Sequence, residues 1–441
     1  MSLHDVHVPT REELLRFTER RVPAAYKTAS LALAAIGAIV FIAGLFLAPD
    51  RAWRAFHWNW LFFANLSSAG VMFVAVQRIA TARWSRPVVR FLEGYAAFLP
   101  VAFVFLAIEL LASGHHLWPW THERPPVAEK VFFMNHTFVT VRSLIMFGVL
   151  TVMGVWYVYT SLRLDVGGSP EGGASWARGL RERMRRGFGE ERRELHSTHS
   201  LQGKIAVVMA ILFGYFWCLL AWDLSMSLDL HFQSTLYGWW FFMTGWVGAL
   251  ASWSLLTMAW RKRLNAYDLI TENHFHDLGK LCFAFTAFWG YLTFAQYLII
   301  WYGNMGEETH FFRLRLVAPW QWVTFSVAIL VFVMPFFGLM SRAAKVFLPT
   351  FVLFALCTVL GTWLQRYLEV YPSLYGVAPS LPFGLWELGV TALYLGSWAL
   401  CYIAFMDAFP KTRVTLLTSP FRDEVQVPVD PKTMEPLPAH E

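Results

Sequence analysis

The chain has 441 residues, of which 56% are hydrophobic and 15% are charged, and its formal net charge is +6. An ordinary soluble domain carries about 25% charged residues, so this composition excludes that class and indicates a membrane protein. The basic residues lie between apolar runs rather than among aromatic residues, a distribution that does not indicate nucleic-acid binding.

Successive apolar runs of about twenty residues follow one another along the chain. A helix needs roughly 20 residues to cross the hydrocarbon core of a bilayer, where lipid offers no partner for unpaired backbone polar groups. We therefore predict an all-α integral membrane protein with ten transmembrane helices. The predicted spans are 28–48, 60–80, 92–112, 139–162, 204–225, 237–258, 279–301, 318–340, 346–368 and 386–408.

The two ends of the chain are more polar than the part between them. Residues 1–26 are predicted to form an N-terminal tail on one membrane face, where Thr10 and Glu13 have the spacing of a helix capping box. Residues 410–441 are rich in proline. They are predicted to form an extended C-terminal arm that becomes ordered only when a partner holds it.

Orientation follows from the distribution of lysine and arginine. The side that carries the two termini has 28 of the 36 basic residues. Because cytoplasmic loops are enriched in Lys and Arg, both termini are expected to be cytoplasmic.

A short internal similarity predicts how the helices are grouped. The sequence WLFF at 60–63 opens the second predicted span, and WWFF at 239–242 opens the sixth. A repeat of four helices keeps the same membrane direction. We therefore predict two four-helix bundles, spans 2–5 in residues 59–225 and spans 6–9 in residues 226–370. The first span with its outer loop, 27–58, and the tenth span, 371–409, are then peripheral.

Four ionisable residues lie near the outer ends of neighbouring spans. An ionisable side chain inside a bilayer costs at least ~2.5 kcal/mol, so each one needs a physical reason. Glu109, Arg142 and Asp223 belong to three consecutive spans at matching depth, and His136 lies just outside them. They could bind a quinol headgroup and take up its protons, or they could form an ion pair that joins the helices.

A second group of ionisable residues lies near the inner face. His276, Asp277 and Lys280 begin the seventh span, and Glu93 begins the third. These residues could form a proton-entry site. Alternatively, Asp277 could be a helix N-terminal cap beside an interfacial lysine.

The centres of the predicted spans carry hydroxyl groups but no Asp, Glu, Lys, Arg or His. Tyr215, Tyr291, Thr293 and Gln296 are predicted to line the bundles, where hydrogen-bonded packing is the default role of such residues. This pattern favours two half-channels with a gap over a continuous proton path. No histidine lies deep in a predicted span, so we predict neither a metal site nor a haem ligand in this chain.

The seventh span contains the most distinctive stretch of the sequence, HDLGK at 276–280, FWGY at 288–291, FAQYLIIWYGN at 294–304 and EET at 307–309. It resembles the ActF-type membrane subunit of bacterial alternative complex III, in the NrfD-like family of polysulfide-reductase membrane subunits. WLFF at 60–63, ATARWSRP at 80–87 and FLP at 98–100 fit the same family. The resemblance covers roughly residues 57–410.

The resemblance implies a function and a set of neighbours. It implies a ten-span subunit, with no redox cofactor of its own, in a quinol:cytochrome c oxidoreductase of a respiratory or photosynthetic chain. The expected location is the bacterial cytoplasmic membrane. The expected partners are a sister ten-span NrfD-like subunit, an iron–sulfur subunit, haem c subunits and small membrane subunits. Quinol is the expected ligand, and proton translocation is an expected role.

Two other functions remain open on the sequence. The first is a stand-alone secondary transporter, a class in which broken helices surround a site near mid-membrane. The second is a purely structural membrane anchor.

Overall fold

A computed structural model describes residues 10–123, 128–170 and 172–425, without the side chains of residues 128–130. These residues are helical or irregular and include no β-strand. Ten helical segments among them are long and apolar enough to cross a membrane. The predicted all-α class and the ten candidate spans are thereby confirmed for a multi-pass membrane protein.

The helices follow one another with short connections. The first nine are α1 (Arg11–Glu19), α2 (Ala24–Leu47), α3 (Pro49–Ile79), α4 (Val89–Glu93), α5 (Leu99–Ala112), α6 (Ala128–Phe133), α7 (His136–Gly167), α8 (Arg178–Arg185) and α9 (Glu191–Leu224). The others are α10 (Tyr237–Leu264), α11 (Glu272–Gly303), α12 (Gly306–Leu316), α13 (Trp320–Val327), α14 (Met334–Gly338), α15 (Arg342–Val346), α16 (Leu348–Tyr375), α17 (Leu385–Ala408) and α18 (Val414–Thr418).

Three candidate spans are composite, including the fifth, Glu191–Leu228, which joins α9 to a 3₁₀ turn at Met226–Leu228. The third, Val89–Ala112, joins α4 to α5 through a 3₁₀ turn, and the eighth, Trp320–Gly338, joins α13 to α14 through the π-helical segment Ala328–Val333. The second and fifth spans begin at Pro49 and Glu191, about three turns before their predicted starts. These extra turns are more polar, so hydropathy alone does not include them.

Helix α3 lies at the centre of the helix array. It contacts α5, α7, α9, α10, α16 and α17. In the most apolar 18-residue stretch of α3, 94% of the residues are buried, whereas only 17% are buried in the corresponding stretch of α2. Because protein rather than lipid surrounds α3, this helix can carry the buried polar residues His57, Asn59 and Asn65.

Helices α2 and α17 pack against each other through glycine. A Cβ atom on Gly37 would lie 2.2 Å from the Leu393 backbone nitrogen, and one on Gly396 would lie 2.4 Å from the Ala34 nitrogen. Only a residue without a side chain permits this approach of two backbones, as in other small-residue contacts between membrane helices.

Replacing Gly37 with valine is expected to lower the free energy of unfolding by about 1–3 kcal/mol, because the new side chain meets backbone that cannot rotate away. The measurement is unfolding in mixed micelles followed by tryptophan fluorescence. Gly214 is the matched control, because a Cβ atom there meets nothing within 4 Å. Equal effects of Gly37→Val and Gly214→Val would contradict the close α2–α17 contact.

The N-terminal helix α1 shows which end of the array carries the termini. The predicted capping box is present, with the Glu13 N–H donating to Thr10 Oγ1 at 3.3 Å and the Thr10 N–H to Glu13 Oε2 at 2.8 Å. Arg11 Nη1 donates to Glu191 Oε2 at 2.8 Å. Helix α1 also contacts α18. We call this end of the array the terminal end and the opposite end the distal end.

The beginning of the expected extended arm is folded. Lys411, Thr412 and Thr415 are fully buried. The Thr415 N–H donates to Asp165 Oδ1 at 2.8 Å, which joins α18 to α7. These buried polar contacts within the chain order the segment, which proline content alone did not predict. The later prolines of the arm lie in 426–441, outside the described residues.

The burial of Lys411 is expected to make the stability of the folded protein depend on pH. Burial lowers the pKa of this amine to about 8, although Asp407 opposes the shift. The unfolded chain therefore binds more protons than the folded one between that value and 10.5, and stability should rise with pH across this window.

Lys411→Met is expected to remove this rise and to stabilise the protein at neutral pH, because no charged amine is then buried at this position. The thermal unfolding midpoint measured across the window tests this expectation. Lys262, which is exposed, is the control position. A variant that keeps the slope of the unmodified protein would contradict the assignment to Lys411.

Candidate functional site

Arg142 and Asp223 form a bidentate ion pair between α7 and α9 near the distal end. Arg142 Nε lies 2.7 Å from Asp223 Oδ2, and Nη2 lies 2.5 Å from Oδ1. The guanidinium carbon lies 3.6 Å from the centre of the Phe133 ring. Of the two hypotheses drawn from the sequence, this geometry favours an ion pair that joins two helices, with the arginine side chain extending toward the surface, over a quinol-binding group.

Glu109 is not part of that pair. Its Oε1 lies 2.6 Å from His57 Nδ1, and both side chains are completely buried. The other ring nitrogen of His57, Nε2, lies 2.7 Å from the Leu224 carbonyl oxygen. Since a carbonyl oxygen only accepts, Nε2 carries a hydrogen, and the contact between Nδ1 and Oε1 holds one further proton. The two residues therefore share a proton between an imidazole and a carboxylate.

The second oxygen of Glu109 has no hydrogen-bond partner among the residues that the structure describes. Glu109 Oε2 is buried without a hydrogen bond, and so is the Tyr394 hydroxyl, whose ring lies 5.0 Å from Phe105. The Trp118 ring lies 5.1 Å from His57, and its indole nitrogen is also unpaired. Buried polar atoms without partners usually have a water or a ligand beside them. This region, which we call the His57–Glu109 pair, is the candidate proton-accepting site.

The predicted outer cluster is thus divided in two. Arg142 and Asp223 are joined, Glu109 pairs with His57, and the ring of His136 lies 6.0 Å from Trp120. Within the described residues, His136 makes no hydrogen bond to the other three. Sequence reasoning missed His57 because the predicted second span began at 60. The stretch from Pro49 to residue 60 contains no helix-breaking residue after Pro49, and this continuity could have indicated that the helix includes His57.

Two of the four residues predicted to line the bundles do face a cavity. A cavity of about 130 Å³ lies between α10, α11, α12, α13 and α16. Its polar lining comprises Thr293, Gln296, Arg315, Thr324, Gln365 and Glu369. Burial lowers the pKa of Arg315 to about 10. The volume is large enough for small molecules, but the surface that faces it is almost wholly apolar, because the polar groups of the lining are turned to one another.

A hydrogen-bonded network extends from this cavity into the helix array. Glu369 Oε2 accepts from Arg366 Nη1 at 2.7 Å, and Glu369 Oε1 accepts from Gln365 Nε2 at 3.1 Å. The same Gln365 nitrogen donates to Thr244 Oγ1 at 2.8 Å. Arg366 Nη2 donates to Asn65 Oδ1 at 2.9 Å and so connects the network to α3. The spacing of Arg366 and Glu369 along one helix face is the sequence signal for this network.

The prediction for Tyr215 and Tyr291 is wrong. Their side chains are 70% and 63% exposed on the outside of the helix array. Thr293, by contrast, accepts from Trp240 Nε1 at 2.8 Å. Depth along a helix can be estimated from sequence, but the face that a tyrosine occupies depends on which neighbours surround that helix.

Glu93 belongs to a buried four-residue cluster at the terminal end. Glu93 accepts from Arg90 and from Arg413, whose Nε lies 3.0 Å from Oε1. Ser161 Oγ donates to Glu93 Oε1 at 2.8 Å. Arg90 also pairs with Asp165. We call Arg90, Glu93, Asp165 and Arg413 the terminal charge cluster, in which two carboxylates balance two guanidinium groups.

Glu93 is separate from the other residues of the predicted inner site. Lys280 Nζ lies 2.7 Å from Asp277 Oδ1, and their side chains are 55% and 29% exposed. His276 is half-buried beside them. All described polar contacts of Glu93 stay within the terminal charge cluster and Ser161. Of the four, His276, Asp277 and Lys280 therefore form the accessible group.

The described part of the chain contains no group of three or more His, Cys, Asp or Glu side chains placed to hold a metal ion. Comparison of the chain with protein-family models and with curated proteins gives no match.

Proposed function

We propose that this chain is a membrane subunit, without a redox cofactor of its own, of a quinol-oxidising electron-transfer complex of the alternative complex III type. The observation that carries the proposal is the His57–Glu109 pair. Oxidation of a quinol releases protons, which an acid–base group near the site must accept. A buried carboxylate with one oxygen bonded to an imidazole and the other left unpaired offers a free acceptor oxygen for that task.

The proposed orientation puts the terminal end in the cytoplasm of a bacterium. The excess of Lys and Arg on that side supports it. We also propose that the spans form two four-helix bundles. Contacts among α3, α5, α7 and α9 support the first bundle, and contacts among α10, α11, α13 and α16 support the second. The His57–Glu109 pair would then lie near the outer membrane face.

Proton conduction through two half-channels is part of the proposal. On α10, Thr244 belongs to the cavity network, and Ser252 lies on the terminal side, 2.7 Å from the Tyr95 hydroxyl. Eight residues separate Thr244 from Ser252, about 12 Å along the helix. Hydroxyl groups on either side of such a gap support two half-channels rather than a continuous path.

The accessible carboxylate at the terminal end provides a test of the half-channels. Asp277→Asn is expected to lower the number of protons moved per electron, because this partly exposed carboxylate would be the first acceptor from the cytoplasm. Proton uptake and electron flow are measured together in proteoliposomes. An unchanged ratio would remove Asp277 from the path.

Purification in mild detergent tests the assignment to a complex. The proposal expects co-migration with haem c and iron–sulfur subunits, a sister ten-span subunit and small membrane subunits, and quinol-dependent reduction of an acceptor. A chain that purifies alone and has no quinol-dependent activity in membranes would overturn it.

A secondary transporter is the second candidate. The π-helical segment Ala328–Val333 interrupts the eighth span beside Pro335, and Ala328 borders the cavity. Interrupted helices often surround the substrate sites of transporters. Saturable binding of a solute by the isolated chain, lost when Gln365 and Glu369 are replaced, would favour this function over the first.

A further inference from the structure

A small basic pocket lies at the terminal end, away from the His57–Glu109 pair and the cavity. It has a volume of about 40 Å³ and lies between the end of α3, the α3–α4 connection, α9 and the C-terminal segment. Its polar lining includes Gln77, Arg78, Ser85, Arg86, His199 and Arg413.

Two of its arginines have no carboxylate partner among the described residues. Arg78 Nε and Nη2 donate to the His199 carbonyl oxygen at 3.3 and 2.9 Å. Arg86 Nη1 donates to the Leu416 carbonyl oxygen at 3.1 Å. Only Arg413 has an anionic partner, because its charge is paired with Glu93. The pocket therefore has an excess of positive charge.

The donors of the pocket are also incompletely used. Arg86 Nη2 is buried and makes no hydrogen bond within the described part of the chain. Gln77 is 8% exposed, and its amide oxygen is buried without a partner. Gln77 belongs to the lining of the pocket, and its amide NH₂ group is the part that could donate to an anion there. Gly203 leaves room for the Arg78 guanidinium group, because a Cβ atom on residue 203 would lie 3.1 Å from Arg78 Nη2.

Electrostatics makes the unpaired state of Arg86 costly. Burial lowers the pKa of Arg86 to about 10, and the nearby charge of Arg83 adds to this shift. Asp423 opposes this shift, but its side chain is 71% exposed and lies 3.7 Å from Arg422. An anion within the pocket would therefore compensate the arginines more closely than this exposed carboxylate does.

We propose that this pocket binds a phosphate group, supplied by an anionic phospholipid headgroup or by free inorganic phosphate. The paired N–H groups of an arginine guanidinium fit the oxygens of a phosphate group. The pocket volume corresponds to about three water molecules, which is enough for a small tetrahedral anion. The pocket lies at the end of α3, which is a candidate membrane span, and basic pockets beside the ends of such helices bind lipid headgroups.

The test uses the intact protein or complex, purified in phosphate-free detergent and stripped of lipid. Thermal unfolding is measured with sodium phosphate against sodium chloride at matched ionic strength. A parallel series compares phosphatidylglycerol with phosphatidylcholine in nanodiscs. The expected result is a stabilising shift with phosphate, with phosphatidylglycerol or with both. A shift in the phosphate series alone identifies a free-anion site, and a shift in the lipid series alone identifies a headgroup site.

Arg86→Gln is expected to weaken this binding about tenfold or more, because a charged hydrogen bond is lost. Arg78→Gln should have a similar effect and serves if the first variant does not fold. Lys262→Gln is the control, an exposed cation at the same end. The proposal is overturned if the unmodified protein responds to neither probe, or if a folded arginine variant responds as the control does.

Discussion

Replacing Glu93 with glutamine is expected to lower the free energy of unfolding by about 3–5 kcal/mol, because removing one member of a buried ion pair leaves its partners uncompensated. Arg90 and Arg413 would keep their charges with only Asp165 to balance them. Glutamine has the size of glutamate, so the loss measures charge rather than packing. Unfolding in mixed micelles, followed by tryptophan fluorescence, provides the measurement.

The terminal charge cluster makes this effect larger than that of an ordinary ion pair. Asp277→Asn is the matched control, because it removes a carboxylate paired with Lys280 at an exposed position on the same end. Exposed pairs contribute about 0–1 kcal/mol. If the two variants lose the same stability, the terminal charge cluster is not the structural element that its burial indicates.

A double-variant cycle separates the ion pair from general damage. Arg413→Met alone removes one buried charge, and combined with Glu93→Gln it removes the pair. The combined loss is expected to be smaller than the sum of the two single losses, because neither partner is then left unpaired. Strictly additive losses would show that Glu93 and Arg413 act independently. The same cycle tests how firmly the C-terminal segment is held against α7.

Glu109→Gln is expected to lower quinol oxidation by about a hundredfold per assembled complex, the lower end of the usual range for loss of an acid–base group. The amide can still bond to His57, but it can no longer accept a proton from quinol. The amount of assembled complex should change little, because the substitution keeps the shape of the side chain. Turnover is measured with a soluble quinol and normalised to haem content.

Asp223→Asn is the comparison that distinguishes a proton acceptor from a structural pair. Asp223 is committed to Arg142 through both oxygens, so its loss should reduce assembly while turnover per assembled complex stays near that of the unmodified protein. Unchanged turnover in Glu109→Gln would favour the structural role for both carboxylates. Lost turnover in both variants would return Asp223 to the functional site.

The His57–Glu109 pair also illustrates what sequence reasoning can reach. The sequence identifies Glu109 as a candidate site residue, because an ionisable side chain within a membrane span is costly and rarely present without a role. It does not identify His57, because this residue lies in a tryptophan-rich stretch of lower hydropathy, which is surrounded by protein rather than by lipid. Glu369 was missed in the same way, since it lies one residue beyond the predicted end of the ninth span.

The helical class, the ten candidate spans and their order follow from the amino-acid sequence, because crossing a bilayer imposes a length and a composition on each segment separately. The N-terminal capping box is predicted from local spacing in the same way. Which charged residues meet depends instead on how the helices pack. Glu93 joined Arg413 across 320 positions of sequence, and Glu109 joined His57 rather than Arg142. Helix rotation and neighbour choice depend on packing among all the spans, which no single segment encodes.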